Sequence, residues 1–201
     1  MRRQFRSRDV RHIAGRASRG RLTFPRDLDS GFPPGRPSPG SFFAAGFAAR
    51  LLLGFALLYL TLGAVRDSSA YRALIDVGTV RPAATLINAL ASGEAAGAVG
   101  ASLVSAKARL NVREGCEGIE AMLLLAAAFL VAPLGWRARL AGLAGGLALI
   151  YALNQARLVA LWFALRHDRE LFALLHGIVA PALLVGAACA YFSWQLGRRR
   201  A

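Results

Sequence analysis

The chain has 201 residues, of which 56% are hydrophobic, and it carries 25 Lys and Arg against 11 Asp and Glu, a formal net charge of +14. Its positive mean hydropathy excludes an ordinary soluble domain and favours one polytopic membrane domain. The positive-inside bias of membrane proteins accounts for the excess of arginine, so the expected partner is the lipid bilayer and not nucleic acid.

The first 40 residues predict a disordered, basic cytoplasmic tail. They hold ten arginines and five prolines without apolar periodicity, so they can bury too little surface to offset the entropy of ordering. We expect the polytopic membrane domain to occupy residues 41–197.

Four apolar runs predict four transmembrane helices and therefore an all-α integral membrane protein. About 20 apolar residues are needed to cross a hydrocarbon core of about 30 Å. The runs are about Phe42 to Val65, Ile119 to Leu134, Leu140 to Leu165 and Leu171 to Leu196. Pro133, Gly135 and the cluster His167-Asp168-Arg169 separate the last three.

The segment between the first two runs predicts elements that do not span the membrane. Tyr71 to Leu90 has helical periodicity with charged residues on one side, which favours an interfacial helix. Ala98 to Val112 alternates partially between apolar and polar residues, which is compatible with a short extracytoplasmic β-hairpin.

Arginine asymmetry predicts the orientation. The tail, the turn with Arg137 and Arg139, and the C-terminal arginines all favour the cytoplasm. Four spans place both termini there, and they bring Cys116, Arg157 and His176 to the outer leaflet. Ionisable groups in membrane segments are costly, so this convergence predicts a functional site.

Cys116 is the candidate nucleophile. It just precedes a predicted helix, where unpaired amide donors and the positive end of the helix dipole favour the reactive thiolate. The flanking Gly115 and Gly118 allow close approach by a peptide substrate. The alternative is that Cys116 only packs, as most cysteines in apolar sequence do.

Arg157 and His176 supply the other two groups that acyl transfer by cysteine needs. The guanidinium could hold a thiolate or an oxyanion, and Asn154, three residues earlier on the same helix face, could orient it or the substrate carbonyl. His176 is the preferred proton carrier over His167, which lies in a charged loop. An interhelical polar clamp and a structural histidine are the alternatives.

Glu120 lies one helical turn after Cys116. Its carboxylate could pair with Arg157 or orient His176, and the alternative is an ordinary interfacial carboxylate. No metal site and no cofactor are expected, because Cys116 and Cys189 are 73 residues apart and form no recognisable ligand spacing.

These residues resemble the exosortase/archaeosortase family, whose active site has a Cys in a Cys-x-Gly pattern, an Arg in an Asn-x-x-Arg pattern and a later His. Here they read Cys116-Glu117-Gly118, Asn154-Gln155-Ala156-Arg157 and His176. The string from Gly115 to Leu123, GCEGIEAML, is most like the exosortase H branch. The resemblance covers about Phe42 to Trp194.

The resemblance implies a bacterial inner-membrane cysteine protease or transpeptidase that cleaves C-terminal sorting signals of the IPTL or PEP-CTERM kind. Such a signal is a short motif followed by a membrane helix and basic residues. The implied catalytic residues are Cys116, Arg157 and His176, on the extracytoplasmic side. The rival reading is a non-catalytic assembly or scaffold protein in which these residues are separate packing solutions. The sequence does not indicate the oligomeric state.

Overall fold

The structure is a computed structural model that describes residues 39–112 and 116–198. The predicted tail, residues 1–40, lies outside the described residues except for its last two, with which the first helix begins. That helix, α1, is Pro39–Val65. The next residues form α2, Ser69–Ile75, a π-helical turn, Asp76–Val80, and α3, Arg81–Leu90.

A 3-10 turn, Ser92–Glu94, leads into a small antiparallel sheet of β1, Gly97–Val99, β2, Ser102–Val104, and β3, Arg109–Asn111. The remaining elements are α4, Ile119–Val131, α5, Trp136–His167, α6, Arg169–Leu174, a second π-helical turn, Leu175–Val179, and α7, Ala180–Gly197. The chain is therefore mostly helical, as its sequence predicts. The predicted hairpin has a third strand, because β2 pairs with β3 as well as with β1.

Three of the described helical segments are long and apolar enough to cross a membrane: Gly46–Val65, Trp136–His167 and Arg169–Gly197. The predicted count of four is wrong, because α4 has only 13 residues and rises roughly 20 Å at 1.5 Å per residue. It ends at Val131 because Ala132 is extended ahead of Pro133. These lengths support a membrane protein, while the sidedness of the site stays a prediction.

Although it is short, α4 is central to the packing, since it contacts α1, α5 and α7. Small residues on α5 allow this close approach. A Cβ added at Gly142 would lie 2.5 Å from a ring carbon of Phe129 on α4, and one added at Gly145 would lie 2.6 Å from the hydroxyl of Tyr191 on α7. The resulting core contains Ala121, Leu125, Phe129, Ile150, Leu184 and Ala188.

A second core lies between the helix pair α2–α3, the sheet and the C-terminal half of α5. Ser68 starts α2 by accepting a hydrogen bond from the Tyr71 amide at 3.1 Å. The predicted helix Tyr71 to Leu90 is thus confirmed as helical, and its interfacial position stays a prediction. The core includes Tyr71, Ile75, Val80, Ile87, Leu103, Val112, Cys116, Leu158, Leu161 and Trp162.

Both π-helical turns contain a glycine four residues before a proline: Gly78 before Pro82, and Gly177 before Pro181. Proline has no amide hydrogen for the carbonyl four residues earlier, and its ring crowds that carbonyl. A wider turn relieves this crowding. At the first turn, the Tyr151 hydroxyl of α5 donates to the Gly78 carbonyl at 2.9 Å, so α2–α3 is tied to α5.

Candidate active site

The segment Cys116–Gly118 leads directly into α4 and is buried. Cys116 is 0% exposed and Glu117 2% exposed. Gly118 precedes the first residue of α4 with φ +74°, in the left-handed region that suits glycine. The thiol is therefore held at the beginning of α4 by a turn that only glycine adopts without strain.

Asn154 of α5 holds the backbone of this segment. Its Nδ2 donates to the Cys116 carbonyl at 3.2 Å and to the Glu117 carbonyl at 3.0 Å. An added Cβ at Gly118 would lie 2.6 Å from Cγ of Asn154. The amide of Asn154 therefore binds the nucleophile segment instead of orienting Arg157. The missing side chain of Gly118 makes room for Asn154.

Three elements bring Cys116, Arg157 and His176 together. The Cys116 sulfur lies 3.1 Å from Nδ1 of His176 in the second π-helical turn. Nη2 of Arg157, one turn after Asn154 on α5, lies 3.8 Å from the same sulfur. A thiol, an imidazole and a guanidinium within this distance can form a thiolate–imidazolium pair next to a fixed positive charge.

His176, and not His167, meets the thiol. His167 lies at the exposed end of α5, where its Nδ1 is 2.8 Å from the Phe163 carbonyl. The ring of Phe172, one turn before His176, stacks on the imidazole with 5.4 Å between ring centroids and 8° between planes. Phe172 thus orients the imidazole. Its position four residues before His176, on the same helix face, was the sequence signal that could have identified it.

Glu120 does not contact Arg157 or His176. Its Oε1 accepts a hydrogen bond at 2.8 Å from Nη2 of Arg66, the residue that follows α1. The side chains of Arg66 and Glu120 are 29% and 34% exposed. Glu120 was expected to support the site directly. It instead forms an ion pair with Arg66 that joins the end of α1 to the first turn of α4.

Burial raises the pKa of the Cys116 thiol above its ordinary value, and the charges of Glu117 and Glu120 add to this rise while Arg157 opposes it. Burial thus opposes the expected effect of the start of α4, which favours the thiolate. A buried thiol stays protonated until a base takes its proton. The imidazole of His176, at 3.1 Å, is in position to do so.

Replacing Arg157 with glutamine is expected to raise the pKa of Cys116 further, because it removes the positive charge that opposes the effect of burial. The measurement is the pH dependence of iodoacetamide alkylation, followed by mass spectrometry so that Cys189 is resolved separately. Arg139→Gln is the control, because this arginine of α5 bonds the carbonyls of Ala132 and Leu134. An alkylation profile that does not move in Arg157→Gln contradicts the expectation.

Two cavities border Arg157. One, of about 340 Å³, is apolar and lies between α5 and α7, with lining residues that include Leu153, Ala160, Leu175 and Leu183. The other, of about 310 Å³, lies beside the start of α4 and includes Gly118, Glu120 and Pro181. A larger space of about 580 Å³, lined by Ala141, Gly142, Gln195 and Arg198, contains none of the three candidate residues. The two cavities that Arg157 lines are therefore the better candidates for a substrate-binding space.

Within residues 39–112 and 116–198, His, Cys, Asp and Glu form no group of three or more that could hold a metal ion. No protein-family model, curated protein or solved structure matches the chain.

Proposed function

We propose that this protein is a membrane-embedded cysteine protease or transpeptidase that cleaves C-terminal protein-sorting signals. The observation that carries the proposal is the meeting of His176 Nδ1 and Arg157 Nη2 at the Cys116 sulfur, at 3.1 and 3.8 Å. The resemblance of the same three residues to the exosortase pattern supports the choice of substrate. We place the site on the extracytoplasmic face of a bacterial inner membrane.

In the proposed reaction, His176 takes the thiol proton and the Cys116 sulfur attacks the carbonyl carbon of the scissile peptide bond. Arg157 stabilises the negative charge that develops on the carbonyl oxygen. The C–N bond then breaks, the leaving amine takes the proton from His176, and a thioester remains on Cys116. Attack by an amine gives transpeptidation, whereas attack by water gives hydrolysis.

The burial of Cys116 is consistent with this chemistry. A thiol shielded from water keeps its proton when no substrate is present, and a thioester formed there is shielded from unproductive hydrolysis. Two cavities, of about 340 and 310 Å³, border Arg157 next to this buried thiol.

Coexpression with a reporter tests the proposal. We expect the full chain to remove the C-terminal region of a secreted reporter that ends in an IPTL-type or PEP-CTERM motif, an apolar helix and an arginine cluster. The control reporter keeps the helix and arginines but carries a scrambled motif, and we expect it to stay intact. The readout is the mass of each reporter. Equal processing of both reporters, or of neither, would overturn the proposal, and an uncut reporter that copurifies with the chain would favour the scaffold reading.

A further inference from the structure

Glu117, the neighbour of the thiol, has a fully buried side chain. Its carboxylate accepts a hydrogen bond from the Tyr71 hydroxyl of α2, and its Oε2 lies 3.8 Å from Nη2 of Arg66. Burying a carboxylate is costly unless donors and opposite charge compensate for it. Because two separate elements supply that compensation, Glu117 links the nucleophile segment to α2 and to the end of α1.

Tyr71 is a donor in this contact and not an acceptor. Burial raises the pKa of Tyr71 above its ordinary value, and the neighbouring Glu117 raises it further. The hydroxyl therefore keeps its proton and donates a hydrogen bond to the carboxylate. Arg66 bridges two acidic groups, because the same Nη2 that faces Glu117 also bonds Glu120 at 2.8 Å.

The nucleophile segment is thus held from two directions. From α5, Asn154 binds the backbone carbonyls of Cys116 and Glu117. From α2 and the end of α1, Tyr71 and Arg66 bind the side chain of Glu117. A segment bound through both its backbone and its side chain keeps the adjacent sulfur in one place relative to the helices that carry Arg157 and His176.

We propose that Glu117 is a positioning residue whose carboxylate, held by Tyr71 and Arg66, fixes the Cys116 thiol against His176 and Arg157. The catalytic part of this inference rests on the proposed function, whereas the effect on the thiol does not. The positioning role of Glu117 predicts two separable consequences. The hydrogen bonds of the carboxylate order the segment, and its charge disfavours the thiolate next to it.

The charge is tested by Glu117→Gln, which keeps an acceptor for Tyr71 and removes the negative charge. The charged and titratable groups described around the thiol are Arg66, Tyr71, Glu117, Glu120, Arg157 and His176. We expect the pH profile of iodoacetamide alkylation at Cys116 in the full chain to move to lower pH, because the charge of Glu117 raises the pKa of the thiol. The matched control is Glu94→Gln, which alters another carboxylate that accepts bonds from two groups, Trp162 and Arg166. A profile unmoved in Glu117→Gln, or moved equally in the control, overturns the proposal.

The hydrogen bonds are tested by Tyr71→Phe, which leaves the charge of Glu117 in place. We expect faster amide hydrogen exchange in residues 116–119 and no downward shift of the alkylation profile. The matched control is Tyr151→Phe, because that hydroxyl bonds the Gly78 carbonyl outside the site. If exchange at residues 116–119 is unchanged, or rises equally in both variants, Glu117 does not position the segment.

Cleavage of the reporter supplies a third measurement. Glu117→Leu removes the charge and the acceptor together, so we expect its cleavage rate to fall about 100-fold, whereas Glu117→Gln retains most of the rate. Equal rates in these two variants would overturn the positioning role. If the unaltered chain cleaves no reporter, the proposed function fails, while alkylation and hydrogen exchange still decide the role of Glu117.

Discussion

Replacing Cys116 with alanine is expected to lower the rate of reporter cleavage by about 10⁴-fold or more, because no other group at the site can form the thioester. Cys116→Ser should be nearly as inactive, since a buried hydroxyl loses its proton far less readily than a thiol. The measurement is single-turnover cleavage by purified chain in detergent. Cys189→Ala is the control, because Cys189 is the other described cysteine and is exposed on α7.

His176 and Cys116 should act as one unit. His176→Gln alone is expected to cost nearly as much as Cys116→Ala, and the double variant should be no worse than either, because each residue is useless without its partner. His167→Gln should retain normal activity, since its imidazole bonds only the Phe163 carbonyl among the described residues. Additive losses, or an active Cys116→Ala variant, would mean that the 3.1 Å contact is structural.

Replacing Gly118 with alanine is expected to destabilise the folded chain by about 2 to 5 kcal/mol, from backbone strain together with overpacking. Gly118 has φ +74°, and an added Cβ would lie 2.6 Å from Cγ of Asn154. Displacing Asn154 would also release the carbonyls of Cys116 and Glu117 that it binds. Thermal unfolding in detergent measures the loss, and cleavage should fall with it.

Two further variants separate the strain from the clash. Gly100 has φ +55° with no atom within 4 Å of an added Cβ, so Gly100→Ala reports the strain alone, about 1 to 2 kcal/mol. Asn154→Ala removes the obstructing side chain, so Gly118→Ala should cost less in that background than in the unaltered chain. Equal losses for Gly118→Ala and Gly100→Ala, together with additive behaviour in the double variant, would contradict the close approach.

The helical elements could be predicted because their signals are local. Apolar runs of about 20 residues indicate spanning helices. The breaks between helices lie at residues that end or start a helix. Asp168 ends one helix and starts the next by accepting hydrogen bonds from the amides of Glu170 and Leu171. Pro133 follows Ala132, the residue at which α4 has ended. The predicted second span, Ile119 to Leu134, was wrong because apolar composition extends past Val131, whereas the helix does not.

The partners of the site residues could not be predicted, because they come from distant parts of the chain. Arg66 and Tyr71 precede Glu117 by 51 and 46 residues, and no pattern near Glu117 points to them. Asn154 was expected to orient Arg157 or the substrate carbonyl, whereas its amide bonds the carbonyls of Cys116 and Glu117. The π-helical turn that carries His176 had a local signal, a glycine four residues before a proline, that helical periodicity alone does not use.

The sequence by itself determined that this is a mostly helical chain with membrane-spanning character and that a thiol, a guanidinium and an imidazole lie in or beside apolar segments. These follow from residue type and spacing, which are local properties. Only the tertiary structure decided that His176 and not His167 meets Cys116, that Asn154 holds the nucleophile segment, and that the thiol is buried. Contact and burial depend on how helices far apart in sequence pack together, and that packing also sets the electrostatic surroundings of Cys116.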